Sequence, residues 1–398
     1  MHRVAIVADS HFHEHSRFDE CTTVHDWIAD DAAARGVDLT VHTGDLYERK
    51  STPAERRAAC NWVQRMADFA PVVVVRGNHD AIGDLPLLER LRAPHPIHVV
   101  ESVGVLRAGG VVVGCLGWPQ RANLHTMLAA AGRADVEAAS ADALRAVLRG
   151  LGAEIERYRE AYDGCPTMLA AHAMVDGARV STGQPLVGCD FSLGLGDLAL
   201  AGAGFYALGH VHCGNDWDVA GAPAVYPGSP RRTAFGELEA KHYVIAEHDG
   251  ERWTYERIET PARRMVHVEA QWLDELPPGP VRESFPNGGL NFTTDPISHG
   301  GAEVRFRYEV PKDRRGQAKA HAQIIEENMK AMGAHSVKLE EVVIVETRAR
   351  APEVAEAKTL PERLDAFWRS KSIDVGARRE SILDKLTTIE TEARDNAA

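Results

Sequence analysis

The chain is 398 residues long, 44% of it hydrophobic, with a formal net charge of −13. That length suits two or three domains with a sizeable core, and the acidic balance is unlike a free-standing nucleic-acid binder, whose footprint is a basic domain. Six scattered cysteines (Cys21, Cys60, Cys115, Cys165, Cys189, Cys213) form no C-x-x-C pair, which argues against a disulfide framework or zinc ribbon and fits a reducing cytosol. The N-terminus has no secretory pattern and no apolar run is long enough to span a bilayer.

In chain order, Val4–Ala8 reads as a strand that delivers Asp9-Ser10-His11 at its end. A loop with Phe12, His13 and His15 follows; these three are expected to be solvated, with substrate contact as the alternative. Phe18–Arg35 has helical spacing and is closed by Gly36. Leu39–His42 is a second strand, ending in Thr43-Gly44-Asp45. Pro53 opens a helix to about Phe69. Val72–Val75, four valines in a row, read as a strand apolar on both faces, and it ends in Gly77-Asn78-His79-Asp80. Ligands of open α/β sheets gather at such carboxyl ends.

Further strands are expected at Ile97–Val100 and Val111–Leu116, with Gly109-Gly110 as a hairpin turn. A helical stretch runs from about Leu124 to Tyr162. Met168–Ala171 ends in His172, and Gly204–Leu208 ends in Gly209-His210-Val211-His212. Ala224–Pro230 and Lys241–Glu247 suggest a closing pair of strands. Composition shifts after Ile258, with turn-prone stretches at Leu276–Pro280 and Asn287–Gly289. Strand, helix, strand then follow at Val304–Val310, Gln317–Met332 and Val337–Glu346. Thr359–Lys371 and Arg379–Arg394 read as two amphipathic helices. The first would carry Leu364, Phe367 and Trp368 on one face. The second carries Ile382, Leu383, Leu386 and Ile389, a stripe without an obvious internal partner, so that docking in a partner's groove competes with ordinary packing.

Asp9, His11, Asp45, Asn78, His172, His210 and His212 thus all fall at strand ends. Singly, each has a plain explanation as a cap, a turn residue or a core histidine. Jointly they form a donor set of carboxylate, amide oxygen and imidazole that suits Mn²⁺, Fe²⁺, Mg²⁺ or Zn²⁺, without the thiolates of a structural zinc site. Seven ligands are too many for one ion with an open position and suit two ions sharing a carboxylate, the arrangement that clamps attacking and leaving oxygens in phosphoryl transfer.

The blocks Asp9-x-His11, Gly44-Asp45, Gly77-Asn78-His79-Asp80, His172 and Gly209-His210-x-His212 resemble the five signature blocks of the calcineurin-like metallophosphoesterases. The resemblance implies a four-layer α-β-β-α sandwich and two divalent ions, Mn²⁺ first, with Mg²⁺ or Fe²⁺ as alternatives. Asp9, His11, Asp45 and His212 would hold one ion; Asp45, Asn78, His172 and His210 would hold the other, with Asp45 bridging. A hydroxide between the ions would attack phosphorus in line, with His79 as general acid or transition-state stabiliser and Asp80 as its orienting neighbour.

Tyr226–Pro230 with Phe235-Gly236-Glu237, and Ala207–His212 preceded by Asp197-Leu198, look like the corresponding segments of the SbcD family of repair nucleases. That likeness implies a metallophosphoesterase domain over 1–262, a smaller α+β capping domain contacting DNA over 263–355, and C-terminal helices over 356–398 that dock on an SbcC-like coiled-coil ATPase. It further implies a homodimeric, metal-dependent DNA exonuclease, with endonuclease activity as a further option, in the cytoplasm of a bacterium or encoded by a phage, at the nucleoid. Arg49, Lys50, Arg121, Arg231 and Arg232 follow strand ends and could contact phosphates; ordinary surface arginine and lysine is the alternative. A phosphoesterase for a small or protein-bound phosphate explains the metal set but leaves Met265–Ala398 without a task. A metal-bearing scaffold without turnover is disfavoured because every ligand position is intact.

Overall fold

The structure is a computed structural model, and it describes residues 1–119, 136–182, 184, 192–276, 288–292, 300–344 and 352–395. The chain divides into two units. The first comprises Met1–Ala270, Phe292–Arg307 and Gln323–Glu340; the second comprises Gln271–Asn291, Tyr308–Ala322 and Glu341–Ala398.

Two six-stranded sheets build the first unit. One has the order Trp253–Glu259, His242–His248, His2–Val7, Leu39–His42, Val72–Val75, Ile97–Val100. Its last four strands run parallel, and His242–His248 joins antiparallel. The other has the order Asn215–Val219, Ala222–Tyr226, Tyr206–Gly209, Thr167–His172, Val111–Leu116, Val103–Ala108, parallel inside and antiparallel at both edges.

The four valines show why the strand is apolar on both faces. Val73 and Val75 join a core with Ile6, Val41, Val113, Ala170 and Ala207, between the two sheets. Val72 and Val74 join a second core with Val24, Ile28, Trp62 and Met66 of the helices Phe18–Ala34 and Pro53–Ala67. Alternation along a strand sends successive side chains to opposite faces. A third core packs Leu144, Leu148 and Leu151 of the helix Val136–Ala161 on the outer face of the other sheet. Helix, sheet, sheet and helix therefore stack in four layers, as expected.

Local signals account for the helix starts. Thr52 caps Pro53–Ala67 through a reciprocal pair with Glu55, and Pro53 occupies the first turn, where its missing N–H costs nothing. Thr359 and Glu362 repeat the arrangement at Leu360–Ser370. The helical stretch expected from Leu124 is found at Val136–Ala161; its first part, the turn-prone 277–280 and 287, and the end of the last expected strand lie outside the described residues.

A four-stranded sheet of order Gly289–Phe292, Met265–Leu273, Glu303–Pro311, Ser336–Ile344 contains the expected strand, helix, strand succession, with the helix at Arg315–Ala331. In the second unit the helices Leu360–Ser370 and Arg379–Asp395 pack on each other. Ile382, Leu383 and Leu386 are half-buried, whereas Phe367 and Ile389 are exposed.

Candidate metal centre

Sheet register brings the site together. Val7 pairs with His42 and His42 with Val74, so the first three parallel strands end level. The loops beyond them zip by backbone bonds: Asp9 N donates to Gly44 O and His11 N to Asp45 O, each at 3.0 Å. In the other sheet Gly209 pairs with His172. Gly209 lies so close to Thr43 that a Cβ there would be 2.2 Å from its carbonyl oxygen, which sets the two rims side by side.

All seven expected ligands converge. Asp45 Oδ2 lies 3.4 Å from His172 Nε2 and 3.8 Å from His11 Nε2, between the two expected sets. Asn78 Oδ1 is 2.9 Å from His172 Nε2 and 3.1 Å from His210 Nδ1. His11 Nε2 and His212 Nε2 are 3.0 Å apart. Asp9 accepts from His210 N through both oxygens, at 3.0 and 3.1 Å. Asp9, His11, Asp45 and His210 all have positive φ, at 52°, 47°, 55° and 112°. Such strain is rare for residues with a Cβ and clusters at functional sites.

The residues fit divalent cations. The donors are oxygen and imidazole nitrogen on mostly buried side chains. His210 Nε2 is buried without a partner. Asp9, His11 and His212 form one compact group of potential ligand atoms, and Asp45, His172 and His210 form another. Two glycines keep the cradle open: a Cβ on Gly77 would be 2.1 Å from Asp45 Oδ1, and one on Gly44 2.3 Å from His172 Nδ1.

Charge is balanced internally in the metal-free chain. Burial favours neutral His172, but the Asp45 carboxylate outweighs it and pushes the imidazole up to about 9. Burial likewise opposes ionised Asp45, and His172 outweighs it, holding the carboxyl below its usual range. Burial raises Asp9 to about 6 against His172. A proton on His172 thus carries positive charge that a cation would otherwise supply, so metal uptake and deprotonation are linked.

His79 is half-exposed on a cavity of about 230 Å³ that His11, Asp45, Asn78, His210 and His212 also line. Its Nδ1 donates to Glu48 O at 2.8 Å and its backbone N to Asp45 Oδ1 at 2.8 Å. Burial opposes the charged ring, but Asp45 and the Glu48 carbonyl prevail and raise its pKa. Asp80 differs from the expectation. Its carboxylate accepts from the backbone of Asp45, Gly77 and Tyr47, each at 2.9 Å. The His79 ring is oriented by Glu48 instead, because Asp80 is buried beneath the loops it ties.

The basic residues divide. Arg49 and Lys50 are exposed. Arg231 is 1% exposed and donates to His11 O at 2.7 Å, yet it lines the cavity. Arg232 is buried and gives its N–H groups to the carbonyls of Glu237, Glu239, Ala262 and Arg263, so it is committed to the fold and not to a phosphate. Arg121 lies outside the described residues. Phe12 is fully buried core, His13 lines the cavity, and only His15 is solvated.

Several neighbours had no sequence signal of their own. Glu48 Oε2 is 2.8 Å from His11 Nδ1. Trp118 lies with its ring 4.8 Å from that of His210. Gln184 accepts from His212 N and donates to His210 O. Thr233 and Glu237 stand behind His212; a lone acid four residues after a threonine in a Gly/Pro-rich loop was the available hint.

The chain is 24% identical over 306 residues to the DNA double-strand break repair protein Mre11 of Methanopyrus kandleri, covering 69% of this chain and 61% of that one; it therefore spans about three-fifths of the relative's length. Among solved structures, TT1561 of Thermus thermophilus matches with a TM-score of 0.37 and 12% identity, over 64% of this chain and 98% of the other. A dimetal phosphatase from Danio rerio matches with 0.38 and 11%, over 65% and 97%. The model of the calcineurin-like phosphoesterase family matches residues 2–214, and with more than half of its length inside that match the chain belongs to this family.

Proposed function

We propose that the chain is a two-metal-dependent DNA nuclease, an exonuclease first, that works with a coiled-coil ATPase in double-strand break repair. The observation that carries the reading is the placement of Asp45 between the His11 and His172 imidazoles, which suits one carboxylate shared by two cations. Asp9, His11, Asp45 and His212 would hold one ion, and Asp45, Asn78, His172 and His210 the other. When bound, such a pair supplies Lewis acidity toward a phosphoryl group and a nucleophile at neutral pH.

The chain's own groups do the rest. His79 commits Nδ1–H to Glu48 O, which leaves Nε2 to hold or give a proton at the departing oxygen. Exposed Arg49 and Lys50 lie where a nucleic-acid backbone could be gripped, and Arg231 stiffens the His11 loop. Likeness to a protein named for double-strand break repair supports DNA as substrate, and residues beyond Met265 supply the capping and docking segments this reading needs. The formal net charge of −13 means that binding to a polyanion depends on the metals and on basic surface from the ATPase.

The test is metal content and hydrolysis with Mn²⁺, with and without an ATPase partner. Degradation of linear DNA supports the reading. Hydrolysis of aryl or cyclic phosphodiesters alone points to a small-molecule phosphoesterase, and no turnover of either refutes both.

A further inference from the structure

The segment from Arg231 to Lys241 packs directly behind His212, and its hydrogen bonds have a single consistent direction. Lys241 and Glu237 are 2% and 0% exposed. Lys241 Nζ spends its three protons on Glu237 Oε2 at 2.6 Å, Glu239 Oε1 at 2.9 Å and His212 O at 3.1 Å. Glu237, an ionised acceptor, takes the Thr233 hydroxyl proton at 2.6 Å and the Thr233 backbone N–H at 3.2 Å. Thr233 Oγ1 has then given away its only proton, so toward His212 Nδ1, 3.1 Å away, it can only accept. The proton of neutral His212 therefore sits on Nδ1, and its lone pair is on Nε2.

That lone pair faces His11 Nε2 at 3.0 Å. The other nitrogen of His11 lies beside the Glu48 carboxylate, which favours a proton on Nδ1 there as well. Two lone pairs turned toward each other repel, and a positive ion between them relieves this. Nitrogens at ~2.1 Å from one ion at about a right angle are separated by roughly 3 Å, as these are.

We propose that Thr233 and Glu237, anchored by Lys241, are positioning residues that lock His212 with Nε2 toward His11 and thereby set the cation affinity of that position. The inference rests on the two-cation reading above. Partners behind a ligating histidine fix its tautomer and raise its basicity, and their loss lowers metal affinity about 10–100-fold. At the other position His172 Nδ1 is held by an uncharged partner, the backbone carbonyl of Thr43 at 2.7 Å.

The test uses the full chain with Mn²⁺ alone. Thr233→Val removes the hydroxyl and keeps the branched shape; Thr233→Ser keeps the hydroxyl. Calorimetric titration and Mn²⁺ paramagnetic resonance should show two ions on the wild type. Thr233→Val should lose about 10–100-fold in affinity at one position, and Thr233→Ser should restore it. Nitrogen-15 shifts of ring-labelled histidine, assigned with His212→Gln, should show the Nδ1–H tautomer in metal-free wild type, and this reading holds even if Thr233→Val fails to fold. A Thr233→Val chain that binds both ions like wild type, or an Nε2–H tautomer at His212, overturns this inference alone. Wild type that takes up no Mn²⁺ overturns the two-cation reading as well.

Discussion

Ser10 lies between two metal-ligand candidates, yet its side chain points away from them. Its Oγ is 2.7 Å from His25 Nε2 and 2.8 Å from His42 Nε2. His25 Nδ1 donates to Cys21 O at 2.7 Å, so its Nε2 must accept the serine proton. His42 Nδ1 accepts from Gly44 N at 3.3 Å, so its Nε2–H must donate to the serine oxygen. Burial pushes both imidazoles down to about 3, so both are neutral at pH 7 and the chain of bonds runs one way. Ser10→Ala removes a group that is donor and acceptor at once and strands two buried nitrogens. At about 1–3 kcal/mol each, the loss is about 2–6 kcal/mol. For a unit of this size about 2–4 °C of Tm follows each kcal/mol, a fall of about 4–24 °C. Because Ser10 ties the Asp9 and His11 turns to the Gly44 loop, Mn²⁺ affinity should fall with it. The assay is thermal unfolding in EDTA, followed by metal titration. A Tm within about 2 °C of wild type would show that the bond directions are wrong.

Other perturbations have equally definite outcomes. His79→Ala should keep full metal content, measured by elemental analysis, and lose about 10²–10⁴-fold in rate; an unchanged rate removes His79 from the chemistry. Gly77→Ala places a Cβ 2.1 Å from Asp45 Oδ1 and should abolish metal uptake with a lowered Tm, whereas wild-type uptake would mean that the loop yields. His25 and His42 have folded pKa values of about 3 against ~6.5 unfolded. The unfolded chain therefore takes up more protons below pH 6.5, and the stability these rings confer is complete above that pH and lost as pH falls toward 3. At pH 5 each contributes a loss of about 2 kcal/mol, so His25→Phe should flatten the acid-side decline of denaturant stability, and an identical pH profile would contradict it.

Residues that announce themselves by kind and position were legible in the sequence. Val72–Val75 foretold a strand covered on both faces, and strand ends in Asp9, Asp45, Asn78 and His172 foretold a shared rim, because strand register alone sets where such residues emerge. Edge strands were harder. Trp253–Glu259 alternates apolar and polar residues in a run with two glutamates and an arginine, and Asn215–Val219 carries two aspartates; such polar strands resemble loops until a neighbour pairs with them. Partner choice was hardest. Asp80 follows His79 in sequence, and the family resemblance made it that ring's orienting neighbour, but the carboxylate points inward to three amides. Phe12 sits among histidines in a loop yet fills the core, and Thr233 meets His212 only through the return of the chain across 21 residues.

The single carboxylate of Asp80 has a mechanical consequence. By clasping the turns after the second and third parallel strands, it makes them one solid piece: neither can swing without tearing amide bonds from a buried anion. If the chain is the nuclease proposed above, adaptation to differently shaped substrates would fall to groups outside that clasp, such as Arg49, Lys50 and His13, over a floor that keeps its shape.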